Sequence, residues 1–205
     1  MPAAHSLRRQ PDLTRQRLLD SAFSEIYRSG FRGASLDSIL QNAGVTKGAL
    51  YHHFENKTAL GHAVIEEVIR PWIEEGWTPL VDAENVIDTA LALCERLLDE
   101  RSTQAIECGC PLNNLISELA PVDEDFRVRL QGILDDWRRG LAGALRQGQT
   151  RGTVRRDIEA SAAADFIISC IEGSVSLAKA KHSRRFLESS TRGLVDYLEQ
   201  LRPRG

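Results

Sequence analysis

Apolar residues recur at steps of three and four along most of this chain, with polar residues between them, and no segment shows a convincing strand or hairpin alternation. The pattern predicts an all-α protein. A first helix, capped by Asp12, carries Leu18, Leu19, Ala22, Phe23 and Ile26 on one stripe and stops at Ser29-Gly30. Ser35 caps a short second helix with Leu36, Ile39 and Leu40 on one side, and Gly44 ends it. After the tight turn Ala43-Gly44-Val45, Thr46 caps a third short helix. Two short helices joined by a glycine-containing turn of this length form a helix-turn-helix signature.

Asn56 caps a fourth helix that opens at Lys57 and turns Leu60, Val64 and Val68 toward a core; Pro71 is expected to kink or end it. Beyond Trp77-Thr78-Pro79 the helical period predicts further helices at about 84–101, 111–119, 124–147, 157–180 and 184–201. The cleanest stripe is Phe126, Leu130, Ile133, Leu134, Trp137, Leu141 and Ala144. By contrast, Ala162 to Ala180 is apolar around most of its circumference, and such a helix must be covered on two sides. These spans divide the chain into a flexible arm (1–11), a helix-turn-helix domain (12–56), a connecting helix (57–77) and a larger helical part (78–205).

Composition fits a folded chain: 42% hydrophobic and 27% charged residues over 205 positions, enough to bury a substantial core. No run of about eighteen apolar residues occurs, and Met1 to Gln10 lacks the apolar stretch of an export signal, so the expected location is cytoplasmic, with no membrane partner. Cys94, Cys108, Cys110 and Cys170 then read as reduced thiols. The net charge of -3 is unevenly spread. Residues 1–60 hold eight Lys/Arg against five Asp/Glu, or +3, leaving eighteen against twenty-four, or -6, elsewhere. A basic end on an acidic body suits a protein that meets phosphates at one end only.

On the third helix Lys47, Gly48, Tyr51 and His52 project to one side, while Leu50 and Phe54 point to the other. The first face offers a cation, a glycine that permits close backbone approach, a phenol and an imidazole, all suited to phosphate oxygens or base edges. Tyr51 or His52 alone would be ordinary decoration of a solvated helix; together, beside this turn, they point to DNA. His53 lies nearer the packed face and is set aside.

In the segment Cys108-Gly109-Cys110-Pro111, proline suits a first helical turn, which puts Cys110 near a helix N-terminus where thiolate is favoured. Cys108 and Cys110 are thus candidate sensors of oxidants or electrophiles, against the plainer reading of small apolar packing residues. Cys-x-Cys without a second ligand pair predicts no metal, and nothing implies a cofactor. An enzyme is not expected: there is no glycine-rich phosphate loop, paired-carboxylate motif or nucleophile elbow, and a thiol-dependent enzyme has only the residue types in its favour.

With Gly30-Phe31, Ser35, Ile39, Ala43-Gly44-Val45-Thr46-Lys47-Gly48, Leu50-Tyr51-His52-His53-Phe54, Lys57 and Leu60 in order, residues of about 14–60 resemble the DNA-binding domain of the tetracycline-repressor family of bacterial transcription regulators. Leu40 departs from a small residue common there. Leu36 replaces a frequent hydroxyl and removes one phosphate contact. The resemblance implies a homodimer that sets two third helices into successive major grooves of a palindromic operator, with half-sites about 34–36 Å apart. It assigns Ser35, Tyr51, His52 and Lys57 to phosphates, and Thr46, Lys47 and Gly48 to bases or backbone. It makes residues 78–205 a domain that binds a small-molecule effector and dimerises through its last two long helices. Asn113, Phe126, Trp137, Phe166 and Glu172 are then candidate effector-site walls, and Phe166, Ile167, Ile171, Gly173, Val175, Leu194 and Leu198 candidate interface residues. The implied function is a repressor released by its effector, with a thiol trigger at Cys108 or Cys110 as the alternative.

Overall fold

The computed structural model describes residues 9–99 and 102–204, and the described residues contain helices and no strand. They form α1 (Arg9–Gly33), α2 (Leu36–Ala43), α3 (Lys47–His53), α4 (Lys57–Val64), a π-helical turn (Ile65–Ile69), α5 (Arg70–Trp77) and a single 3-10 turn (Thr78–Leu80). The remainder is α6 (Val86–Asp99), α7 (Ser102–Cys108), α8 (Pro111–Leu119), α9 (Glu124–Arg151), α10 (Ala160–Lys181) and α11 (Arg184–Gln200).

The chain divides into two compact units. One comprises Met1–Pro71 with Asn114–Leu130, the other Trp72–Asn113 with Gln131–Gly205. In the first, α1 packs against α2, α3 and α4 around Leu18, Leu19, Ala22, Ile39, Leu50, Phe54, Leu60 and Val64, all buried. The Ser21 hydroxyl, inside this core, donates to the Ile39 carbonyl at 2.9 Å and so leaves no orphaned group there. In the second unit α10 packs on α7 and α11, and α11 also on α6. Its core includes Ile87, Leu112, Ile133, Trp137, Leu141, Ala164, Ile168 and Leu187.

Several boundaries differ from those the sequence predicts. Most of the expected arm lies outside the described residues, but α1 already holds Arg9, so Asp12 sits inside the first turn and does not cap it. The short polar helix α7 has no apolar stripe to announce it, and the 84–101 prediction ran across its approach. Pro71 does not end the connecting helix. The π turn precedes it, with the Arg70 N–H bonding to the Ile65 carbonyl, and this wider pairing accommodates the proline in a helix that runs on to Trp77. The same turn moves the buried stripe forward by one residue. Ile69 and Ile73 are buried, and Val68, expected in the core, is half-buried.

α10 is the one helix among the described residues long and apolar enough by composition to cross a membrane. Its buried positions, among them Ala163, Ala164, Ile167, Ile168, Val175 and Ala178, follow its contacts with α7 and α11. The side away from them keeps Phe166 47% and Leu177 52% exposed. Among the described residues none supplies the second cover that its all-round apolarity calls for.

Candidate nucleic-acid interface

Three short helices in succession are capped by the residue types the sequence offers. The Ser35 hydroxyl accepts from the Ser38 N–H at 3.4 Å, Thr46 from Ala49 at 3.3 Å, and the Asn56 side-chain carbonyl from Ala59 at 2.8 Å. Between α2 and α3, Gly44 adopts the left-handed conformation (φ 65°, ψ 36°), and the N–H groups of Gly44 and Val45 bond back to the Gln41 and Leu40 carbonyls at 3.2 and 3.1 Å. This turn fixes α3 against α1 by Leu50 and Phe54, both buried.

The opposite side of α3 is open. Thr46, Lys47, Gly48, Tyr51 and His52 are all exposed, Tyr51 to 46%. The Lys47 ammonium stands 6.0 Å from the centre of the Tyr51 ring, and the His52 ring meets His53 edge-on at 5.2 Å. A side chain at Gly48 would meet only the Thr46 hydroxyl, at 3.9 Å, so packing does not demand a glycine there. Six of the seven residues expected to meet DNA thus share the capped end and free face of α3 or, for Ser35, the half-buried start of α2.

Lys57 is placed differently. Its ammonium donates to the Ala34 and Arg32 carbonyls at 2.7 and 3.3 Å and lies 5.0 Å from the Phe31 ring centre. Two of its three donors hold the turn between α1 and α2, which leaves one for a phosphate. On the N–H side of that turn Glu118 of α8 accepts from Phe31 at 2.8 Å and Arg32 at 2.7 Å. Sequence reasoning missed Glu118, because a lone acidic residue on a short helix carries no local signal. Arg15 on α1 pairs with Glu67 in the π turn and lies over the Phe54 ring at 5.1 Å, tying the reading head to its connecting helix.

The candidate effector residues are distributed over both units. Phe126 belongs to the first unit, 1% exposed, with its ring against Phe31 at 4.7 Å and His62 at 4.5 Å; it is a core residue of the reading head's base. Asn113, Trp137, Phe166 and Glu172 belong to the second unit, where Trp137 is buried and Asn113 half-buried. Phe166 faces outward and packs on Tyr197 at 4.4 Å. Of the candidate interface residues, Ile167, Val175, Leu194 and Leu198 are buried in their own chain, whereas Phe166 and Gly173 are exposed and Ile171 is half-buried.

Cys110 corrects the thiolate expectation. The Leu112 and Asn113 N–H groups do favour its thiolate, as the helix start predicts, but burial and the Glu172 carboxylate outweigh them and push the thiol well above its ordinary range. Cys108 is half-buried. Groups of His, Cys, Asp and Glu able to hold a metal are absent among the described residues.

Residues 18–64 match the profile of bacterial regulatory proteins of the tetR family, and residues 87–194 match the tetracyclin repressor-like C-terminal domain. The transcriptional regulator AcuR of Cereibacter sphaeroides is 30% identical over 181 residues, which span 88% of this chain and 83% of that one. The HTH-type transcriptional repressor DhaR of a Mycobacterium species is 28% identical, covering 85% and 86%. Among solved structures, a TetR transcriptional regulator from Chloroflexus aurantiacus superimposes with a TM-score of 0.83 at 27% identity, covering 95% of this chain and 98% of that one. The reduced form of E. coli NemR gives 0.78 at 25% identity, covering 93% and 97%. With a helix-turn-helix head and an all-helical remainder each matched in place, the chain belongs to the tetR family of bacterial transcription regulators.

Proposed function

We propose that this protein is a homodimeric repressor that holds a palindromic operator and is released from it by a small-molecule effector. The observation that carries the reading is the free face of α3, where Lys47, Gly48, Tyr51 and His52 stand together on a capped helix whose other face is fixed by Leu50 and Phe54. Such a helix brings a cation, two polar rings and a bare stretch of backbone to the major groove. The uncovered side of α10 supports the homodimer. Phe166, Cys170, Gly173 and Leu177 follow one another at steps of three and four, and neither Gly173 nor Gly193 of α11 has an atom near the place of its missing side chain. An apolar stripe broken by bare backbone suits the close approach of a second copy. Release by a bound compound follows from a ligand that prefers one of two conformations of the dimer. The buried, protonated state of Cys110 favours such a ligand over a thiol trigger.

The test is selection of duplexes from a randomised pool by the full chain, followed by titration at fixed salt. An inverted repeat bound by a dimer is expected, with Tyr51→Ala weakening it at least about tenfold while leaving the dimer folded. Enrichment of no duplex, or equal binding by that variant, overturns the reading.

A further inference from the structure

Glu172 on α10 presents a polar group that neither DNA contact nor the α10 stripe employs. One carboxylate oxygen is engaged by the Cys110 thiol, while Oε2 is fully buried and has no hydrogen-bond partner. The neighbouring turns of α10 on the buried side are Ile168 and Val175, and the residue after Pro111 is the buried Leu112. Of the titratable groups on the packed elements only Cys110 acts on this carboxyl, and no basic side chain among the described residues does. Buried carboxylates in folded proteins are paired with a cation or fully hydrogen-bonded, and this one is neither.

We propose that the missing partner is supplied by the effector, and that the effector is an organic cation whose ammonium donates to Glu172 Oε2 while its hydrocarbon part lies among the apolar side chains of the second unit. The inference rests on the reading that this unit binds the releasing compound. Burial holds Glu172 at about 7. An ammonium selects the ionised carboxylate, so its binding displaces a proton and strengthens as pH rises. A carboxylate or carbonyl ligand would need the protonated acid and show the opposite trend.

The test is calorimetric titration of the full chain with methylammonium, n-butylammonium and benzylammonium, each against the alcohol and the carboxylate of the same carbon skeleton. Saturable binding is expected from ammonium ions alone. It should tighten about tenfold between about pH 6 and about pH 8, as the carboxyl ionises. The near-isosteric Glu172→Gln variant, checked for folding by its thermal transition, should lose this binding. Titration of the unaltered protein in two buffers of different ionisation heat should show close to one proton released at the lower pH. Binding of the alcohol or carboxylate instead, proton uptake, an undiminished Glu172→Gln protein, or no binding by any ammonium overturns the proposal. Because the readout is direct, a protein that binds the cation yet keeps its duplex refutes release by effector and leaves the cation site standing.

Discussion

The Glu118 carboxylate accepts the Phe31 backbone N–H at 2.8 Å, and its second oxygen takes the next N–H, that of Arg32, at 2.7 Å. Two successive amides converge on one carboxylate because Gly30 before them adopts φ 74° and ψ 167°, a conformation open to little but glycine. Lys57 holds the carbonyls of the same turn. Replacing Glu118 by Ala leaves two N–H groups without their charged acceptor. It should lower stability by about 1–3 kcal/mol in urea titration and speed amide exchange at Phe31 and Arg32. Unchanged exchange at both amides would show that the clasp does not hold in solution.

Three glycines of the reading head should respond to alanine in three ways. At Gly30 the added carbon would stand 2.7 Å from Glu118 Oε2 on a strained backbone, with an expected loss of about 1–3 kcal/mol. At Gly44 the left-handed conformation meets open space, so the loss is about 1–2 kcal/mol from the backbone alone. Gly48 is helical and unobstructed, so alanine should stabilise the fold by about 0.5–1 kcal/mol while weakening operator binding through its bulk in the groove. A Gly48→Ala protein that binds its duplex as well as the parent would remove Gly48 from the contact surface.

Lys47 and Lys57 separate a phosphate cation from a structural one. Lys47→Ala should flatten the salt dependence of operator affinity by about one phosphate per protomer without moving the urea midpoint. Lys57→Ala should move that midpoint, since two carbonyls and the Phe31 ring lose their cation. Equal effects of the two on both measurements would contradict the placement of Lys57.

Glu172 makes stability depend on pH in a defined direction. Its folded pKa of about 7 lies above the ordinary 4.5, so the folded chain holds a proton that the unfolded chain gives up. Its contribution is fully present below about pH 4.5 and is lost as pH rises through about 7, by an amount on the order of 1–3 kcal/mol. Urea midpoints for the parent should fall across that window more than those for Glu172→Gln. Parallel curves would place the carboxyl in contact with water.

Cys110 should resist alkylation in the native protein at neutral pH, since burial and Glu172 keep its thiol protonated, and should react once the chain is unfolded. Peptide mass spectrometry after brief iodoacetamide treatment measures this. Labelling of native Cys110 ahead of the half-buried Cys108 would restore the sensor reading.

Local signals carried the reading head. Each short helix has its cap one residue ahead, and the first of them stops at a glycine, so Ser35, Gly44, Thr46 and Asn56 could be assigned without tertiary information. The free face of α3 followed from spacing alone. What stayed hidden depends on residues far apart in sequence: the hold of Glu118 on Phe31, the pairing of Cys110 with Glu172, and the burial of Phe126 beneath Phe31. Helical period places a side chain on a face but does not say what lies opposite. For that reason the sequence could offer Phe126 as a pocket wall and Leu194 and Leu198 as interface residues, but not that all three are buried within their own chain.

The five residues Ile65–Ile69 have one more consequence. They offset the phase of the connecting helix, so that Leu60 and Val64 before them, Ile69 at their end and Ile73 beyond are buried although no single straight cylinder would align all four. Deleting one residue there would close the wide turn to an ordinary α-helical one and bring the following side chains to steps of four from Val64, still on the buried face, whereas a deletion elsewhere in the helix would swing every later side chain by about 100°. The connecting helix can therefore lose a residue at this point more readily than in the regular turns on either side.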